Sequence, residues 1–364
     1  MLLGGSLSFG FVFGIGANQT AQANSKTIIA VEPITCDLVS AITLPSMPIT
    51  CLIDRTNNLH DLKFSPRQAQ ILNNASQVFT LGQEMTPAMN KFLDKPVTVV
   101  VGVSAIEIDD HHDDHDDHSA AKHDNHDDHD DHDDHEQEHG DISGDDVEPI
   151  AQVLEEGGEH HHHDHGGSLD PHIWHNPQNI IKMGNVITEN LNKKISFFDR
   201  DKKNVLKART QAVNSILEEL DEWTQKQIST IPSNQRTIVS KHKAMEYYGD
   251  AFGLKTLSLL DALGHSTSLR PQTISRVMTE LRGKNVQVLF PEQKPPSKLL
   301  ANLSRQTSTP IAKQQIFVDG LMPTGNMVSV AVHNTCTIAN SLGGSCDKKA
   351  GNKLVNRWDK LTKR

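Results

Sequence analysis

Apolar and polar positions alternate in two successive series along the chain. Thr27–Val31 is a β-branched run, Cys36–Ile42 has helical spacing, and Ile49–Ile53 reads as a strand. Ser65-Pro66 opens a helix, with Ser as cap and Pro in the first helical position. Thr86-Pro87 repeats that pair after the short strand Val78–Leu81. Val97–Val103 is a strongly apolar strand. A second series starts with a helix from Asn176-Pro177 to about Asn192 and a long helical pattern from about Asp199 to Ile228. Strand Thr237–Ser240, helix Lys243–Phe252 ending at Gly253, and strand Lys255–Leu260 follow. Helix Thr273–Arg282, strand Val286–Phe290, helix Ser297–Gln306, strand Gln315–Val318 and a helix over Asn326–Asn340 complete the pattern. Strands alternating with helices predict an α/β fold, with mostly parallel sheets flanked by helices. Two such halves are joined by a long helix.

Composition changes this picture at two places. Between Asp109 and Glu148 there are 19 acidic residues and one lysine, whereas the whole chain of 364 residues carries a net charge of −11. The acidity is therefore local, and the rest of the chain is mildly basic. That remainder shows no Lys/Arg-dense stripe with interleaved aromatics, which argues against a nucleic-acid partner. Residues 109–167 are low in complexity, with repeated Asp-Asp-His and then His160-His161-His162-His163. Such a segment cannot bury apolar surface and is expected to be disordered without metal. At the start, Met1–Ala17 is apolar and glycine-rich and leads to Ala21-Gln22-Ala23, a small-x-small pattern that suits signal peptidase. Residues 1–23 are read as a cleaved signal peptide, which places the protein outside the cytoplasm. No cysteine stands near the cleavage point, which argues against a lipid anchor. In an oxidising compartment the four cysteines are expected to pair by proximity, Cys36 with Cys51 and Cys336 with Cys346. No C-x-x-C spacing supports a cysteine-based metal site.

Fifteen of the 21 histidines lie between His111 and His165; the other six are His60, His172, His175, His242, His265 and His333. In open α/β sheets, ligands bind beyond the carboxyl ends of the strands. His60 follows the strand Ile49–Ile53, and His242 lies two residues past Thr237–Ser240. Glu292 lies two residues past Val286–Phe290, and Asp319 directly follows Gln315–Val318. His172 precedes the helix that leaves the first half. Three neutral imidazoles and a carboxylate make a four-coordinate zinc sphere. Imidazole also suits copper and nickel, whereas manganese prefers more oxygen. Any one of these histidines could equally be a surface or core residue, and spacing alone leaves both readings open.

The segment His60-Asp61-Leu62-Lys63-Phe64-Ser65-Pro66 resembles the first histidine motif of the metal-binding proteins of ABC importers. Asp170-Pro171-His172-Ile173-Trp174 and Ser240-Lys241-His242-Lys243-Ala244 resemble that family's later histidine motifs. Leu81-Gly82-Gln83-Glu84 and Phe290-Pro291-Glu292-Gln293 are similar to two more. Order and spacing match over nearly the whole chain after the leader, and they are nearest to the periplasmic zinc-binding, ZnuA-type branch. Leu59 stands where the family has proline, Asp54–Asn58 replaces its proline-glycine loop, and His175 replaces an apolar residue.

The resemblance implies two pseudo-symmetric α/β lobes, a rigid linking helix and a metal in the cleft between them. The N-terminal lobe would comprise residues 24–108 and 168–195, the linking helix 196–230, and the C-terminal lobe 231–364. It also implies His60, His172 and His242 as ligands, with Asp319 matching the acidic residue after the last strand. A histidine at 242, where manganese-type relatives carry glutamate, favours zinc. The implied function is capture of zinc in the periplasm by a monomer, and its delivery to a membrane ABC permease with a cytoplasmic ATPase. No reaction is catalysed. From its composition, the acidic segment, with His111, His112, His115, His118, His160, His161, His162 and His163 among its histidines, is read as an accessory zinc scavenging or sensing site rather than a solvated acidic linker. His175 is a fifth candidate ligand or, by preference, a surface residue; His265 and His333 are expected in structural or exposed positions, and Glu292 behind a ligand or between the lobes. Two rival readings are a secreted zinc hydrolase using Glu292 as base and a periplasmic metal buffer with no transporter.

Overall fold

The computed structural model describes residues 27–55, 57, 59–105, 170–263 and 271–363. The expected signal peptide (1–23), the accessory histidines and His265 lie outside the described residues.

In the first lobe β1 (Ile28–Ala30), β2 (Ile49–Cys51), β3 (Gln77–Thr80) and β4 (Thr98–Val100) form one parallel sheet in the order β2-β1-β3-β4. The register sets Ile28 beside both Ile49 and Gln77, and Val78 beside Thr98. Helices α1 (Pro33–Ile42) and α2 (Pro66–Asn73) are the crossovers. The two proline-led helix starts behave differently. Ser65 caps α2 in a capping box with Gln68, as its sequence predicts. Thr86 caps nothing; its hydroxyl donates to Glu32, and Pro87–Phe92 forms a 3₁₀ turn instead of an α-helix.

That glutamate occupies the topological switch point, the crevice between β1 and β3 where an open α/β sheet ordinarily receives a ligand. It is fully buried and accepts hydrogen bonds from Thr35, Thr80 and Thr86 hydroxyls and from the Leu81 amide. Burial raises its pKa against the lowering effect of those bonds. The chain's own side chain fills this crevice and ties the strand ends together.

Helix α3 (Pro177–Lys194) and the 30-residue α4 (Arg200–Ser229) follow, capped by Asn176 and Asp199. At 1.5 Å per residue, α4 is about 45 Å long. Its Leu206, Val213, Ile216, Leu217, Leu220 and Trp223 are buried in the core of the first lobe, and its Ile228 in that of the second. One continuous helix thus belongs to both cores.

The second lobe contains β5 (Thr237–Ser240), α5 (Glu246–Phe252), β6 (Lys255–Ser258), α6 (Leu259–Leu263), α7 (Pro271–Gly283), α8 (Lys298–Thr307) and α9 (Met327–Ser341). Strands β5 and β6 pair in parallel. Gly253 ends α5 at φ +71°, the left-handed conformation that closes a helix without a Cβ penalty. The two further strands expected here are reduced. Val286–Phe290 contributes an isolated parallel bridge, Leu289 to Ile311, and Gln315–Val318 forms no ladder. Pro291 and Pro310 lack the donors a ladder needs. Phe317 is held instead by one side chain: Asn334 accepts from its amide (2.9 Å) and donates to its carbonyl (2.7 Å).

A last helix, α10 (Lys348–Thr362), was not foreseen. Asp347 caps it, and Gly351, Leu354 and Trp358 form its buried stripe. A Cβ on Gly351 would lie 2.8 Å from Trp223, so only glycine permits this approach to α4. Trp358 is fully buried and joins the core of the first lobe, where its indole N–H donates to Asp37 of α1. The cysteines pair as expected, Cys36 with Cys51 and Cys336 with Cys346, with Cα separations of 5.5 and 5.1 Å. No helix among the described residues is long and apolar enough to cross a membrane.

Candidate metal centre

Each of four chain segments delivers one polar side chain to the cleft. His60 lies in the loop after β2. That loop is anchored at one end by Gln68, which donates to the Leu52 carbonyl, and across the cleft by Arg55, which donates to the carbonyls of Met322 and Gly325. His172 is 2% exposed and sits in the turn before α3. One oxygen of Asp170 accepts from both its backbone amide (3.0 Å) and its Nδ1 (2.8 Å), so Nε2 faces the cleft. His242 lies two residues past β5. Glu292 accepts from the Lys241 amide at 2.7 Å and meets His242 Nδ1 at 3.3 Å. Asp319 follows Val318, whose carbonyl accepts from His175 Nε2 at 2.9 Å.

The ligand atoms of His60, His172, His242 and Asp319 all lie within 4.8 Å of one another, and they form the one such group among the described residues. Asp319 Oδ1 is 3.0 Å from His242 Nε2, 3.2 Å from His172 Nε2 and 3.9 Å from His60 Nε2. The Nε2 atoms of His172 and His242 are 3.4 Å apart. Burial would lower the pKa of His242, but hydrogen bonds to Asp319 and Glu292, with their charges, push it up to about 10. His172 is raised by the same balance, with Asp170 and Asp319 as partners. Burial would raise Asp319, but the two imidazoles hold it well below the usual carboxylate range. Both imidazoles lie within hydrogen-bonding distance of this carboxylate.

A dication placed among these atoms would meet three imidazole nitrogens and one carboxylate oxygen, a set that satisfies tetrahedral zinc. Behind two of the imidazoles stand carboxylates, Asp170 and Glu292, that fix the ring orientation as metal-bound histidines require. Glu292 was expected behind a ligand and is found there. Asp170 was missed, although Asp-x-His at a turn carries the signal.

His175 corrects an expectation. It is buried rather than at the surface, and burial and the nearby His172 lower its pKa to about 4. Its ring is neutral and engaged with the Val318 carbonyl, outside the ligand group. His333 is half-buried, bonded to the Gln315 carbonyl and set edge-on to Phe317, a structural role as expected.

The family model described as zinc-uptake complex component A, periplasmic (ZnuA), matches residues 28–341. The manganese-binding lipoprotein MntA of Halalkalibacterium halodurans is 30% identical over 178 residues, 48% of this chain and 57% of that protein. The metal-binding protein YtgA of Chlamydia pneumoniae is 26% identical over 193 residues, 49% of this chain and 57% of that one. The chain spans about half the length of the curated relatives it matches. Among solved structures, the periplasmic zinc-binding protein TroA of Treponema pallidum superposes with a TM-score of 0.62 at 16% identity, over 87% of this chain and 99% of that one. Fe(III)-bound YtgA of Chlamydia trachomatis gives 0.62 at 19% identity, over 88% and 98%. These two likenesses establish the two-lobed fold. Members of the matched family are substrate-binding transport components, not enzymes. Because its model extends over most of the sequence, the chain belongs to the ZnuA family of periplasmic zinc-uptake components.

Proposed function

We propose that this protein captures Zn²⁺ outside the cytoplasm, holds it with His60, His172, His242 and Asp319, and delivers it to a membrane ABC permease driven by a cytoplasmic ATPase. The observation that carries the reading is the convergence of three imidazoles and one carboxylate within 4.8 Å, from four separated segments. The donor set favours zinc. Manganese and ferric iron, named for some relatives, prefer more oxygen ligands than one carboxylate supplies. Imidazoles fixed by Asp170 and Glu292 also suit a site that must discriminate by geometry. The hydrolase reading is set aside by the family assignment. It also loses its base, since Glu292 is engaged by His242 and the Lys241 amide. The protein works as a periplasmic monomer after removal of residues 1–23, with residues 109–167 as an accessory zinc collector.

Isothermal titration tests this reading. The full chain should show one tight zinc site, with far weaker manganese binding. That site should survive deletion of residues 109–167 and vanish in the His60→Ala/His242→Ala double variant. Loss of tight binding on loop deletion alone would overturn the cleft assignment. Tight binding without zinc-uptake rescue in cells would favour a buffering role.

A further inference from the structure

Among the described residues, the large hydrophobic side chains exposed to solvent are Phe197 and Phe198, in the turn from α3 into α4, and Val205, in the second turn of α4. Phe197 is 78% and Phe198 90% exposed, and their rings meet edge to face with centroids 5.6 Å apart. Neither ring is covered by the fold. Around them stand Lys193, Lys194, Arg200, Lys202, Lys203 and Lys207, against three acids, Glu189, Asp199 and Asp201. Lys203 lies over the Phe197 ring at 5.5 Å. Lys193–Glu189 and Lys202–Asp199 are exposed pairs, which a competing anion can displace at small cost. Basic and aromatic residues therefore do interleave at this one turn, a feature that scanning the sequence for a long stripe passes over.

The position of the turn indicates what would meet it. The amino-terminal ends of β1 and β3 lie here: Ser76 donates to the Thr27 carbonyl, and Lys194 reaches the Ser76 carbonyl. The metal-binding side chains and Glu32 lie beyond the opposite, carboxyl ends of the strands. Uncovered aromatics with a basic surround are the composition of an interfacial membrane contact. Cations close to a bilayer gain from anionic headgroups.

We propose that the α3–α4 turn is a membrane-surface contact that seats Phe197 and Phe198 among anionic lipid headgroups, independently of the metal site. It holds the protein near the bilayer by the pole remote from its cleft. Phe198→Trp in the full, zinc-loaded chain reports on this contact directly, because the native Trp174, Trp223 and Trp358 are buried. With vesicles containing phosphatidylglycerol, its fluorescence should shift to the blue and be quenched by brominated acyl chains. Lys202→Glu/Lys203→Glu in that background should weaken vesicle binding more than about tenfold, as should about 0.5 M salt, with zinc affinity unchanged. Absence of quenching, equal quenching on neutral phosphatidylcholine, or a blue shift that grows with protein concentration without lipid would each overturn the proposal. The last outcome would mean that the turn is an interface between copies. Binding to single-stranded DNA without lipid quenching would overturn it as well.

Discussion

Glu292 is not itself in the ligand group, yet its replacement by glutamine should weaken zinc binding substantially. One oxygen accepts the Lys241 amide at 2.7 Å while the other faces His242 Nδ1 at 3.3 Å. A carboxylate accepts on both sides, so Nδ1 carries the hydrogen and Nε2 offers a lone pair to the metal. An amide that keeps its oxygen on Lys241 turns its NH₂ towards Nδ1. Nδ1 must then accept, and the proton moves to Nε2, the atom that should bind metal. Keeping the productive tautomer would require a clash of donors or loss of the Lys241 bond. A charge-assisted hydrogen bond is worth about 1.5–3 kcal/mol. That is roughly a 10- to 100-fold loss of affinity, in line with removal of other groups that orient metal-bound histidines.

Competition with a chromophoric zinc chelator measures the effect. Glu292 also holds up the His242 pKa, so its removal relieves proton competition and partly offsets the loss near neutrality. The deficit of Glu292→Gln should therefore widen from about pH 7 to about pH 9. A variant that stays within about twofold of the parent across that range would refute the orienting role.

Three further outcomes follow from the packing. Burial raises the pKa of Asp37 from 3.8 to about 6 despite bonds from Met327 N and Trp358 Nε1. The folded state thus binds this proton more tightly, and stability should fall as pH rises from about 4 to 6, by up to about 3 kcal/mol. Both donors reach the same oxygen, so Asp37→Asn should remove that pH dependence and melt no lower than the parent at pH 7; a large loss there would show that the charge is needed. Trp358→Ala should destabilise by about 3–5 kcal/mol in equilibrium denaturation, and a loss below about 1 kcal/mol would mean that α10 is not part of the first core. His175→Ala frees the carbonyl next to Asp319 and should weaken zinc binding about fivefold, whereas His333→Ala, which acts on Gln315, should not. Equal effects would remove the positioning role of His175.

What the sequence disclosed depended on whether the information was local. Strands β1 and β3 of the first lobe are fully buried, and their runs stand out. Ser65 announced its helix because capping is a contact three residues long. Thr86, with the same neighbour, failed because its hydroxyl is claimed by Glu32, 54 residues away. Val286–Phe290 and Gln315–Val318 are apolar enough for strands, but a ladder needs donors on the neighbouring segment, and prolines and Asn334 stand there instead. Helix α10 was overlooked because a glycine and two apolar residues make a thin stripe; the glycine is the contact. At the site, position after strands marked His60, His242 and Asp319. His172 lies in a turn after no strand; its place before α3 made it a weaker candidate, which family resemblance raised with the others.

Protons and metal would compete for the same imidazole nitrogens. His172 and His242 both have raised pKa values, and Asp319 is held ionised between them. When both imidazoles are protonated, two positive charges balance against one carboxylate within 4.8 Å. Zn²⁺ that displaces those two protons leaves the total charge unchanged. Capture becomes an exchange of protons for metal, and affinity must fall as pH falls. Titration in buffers of different ionisation enthalpy should find between one and two protons released per zinc at about pH 7. Release close to zero would mean that the imidazoles are already neutral, and the exchange would fail as an account of the site.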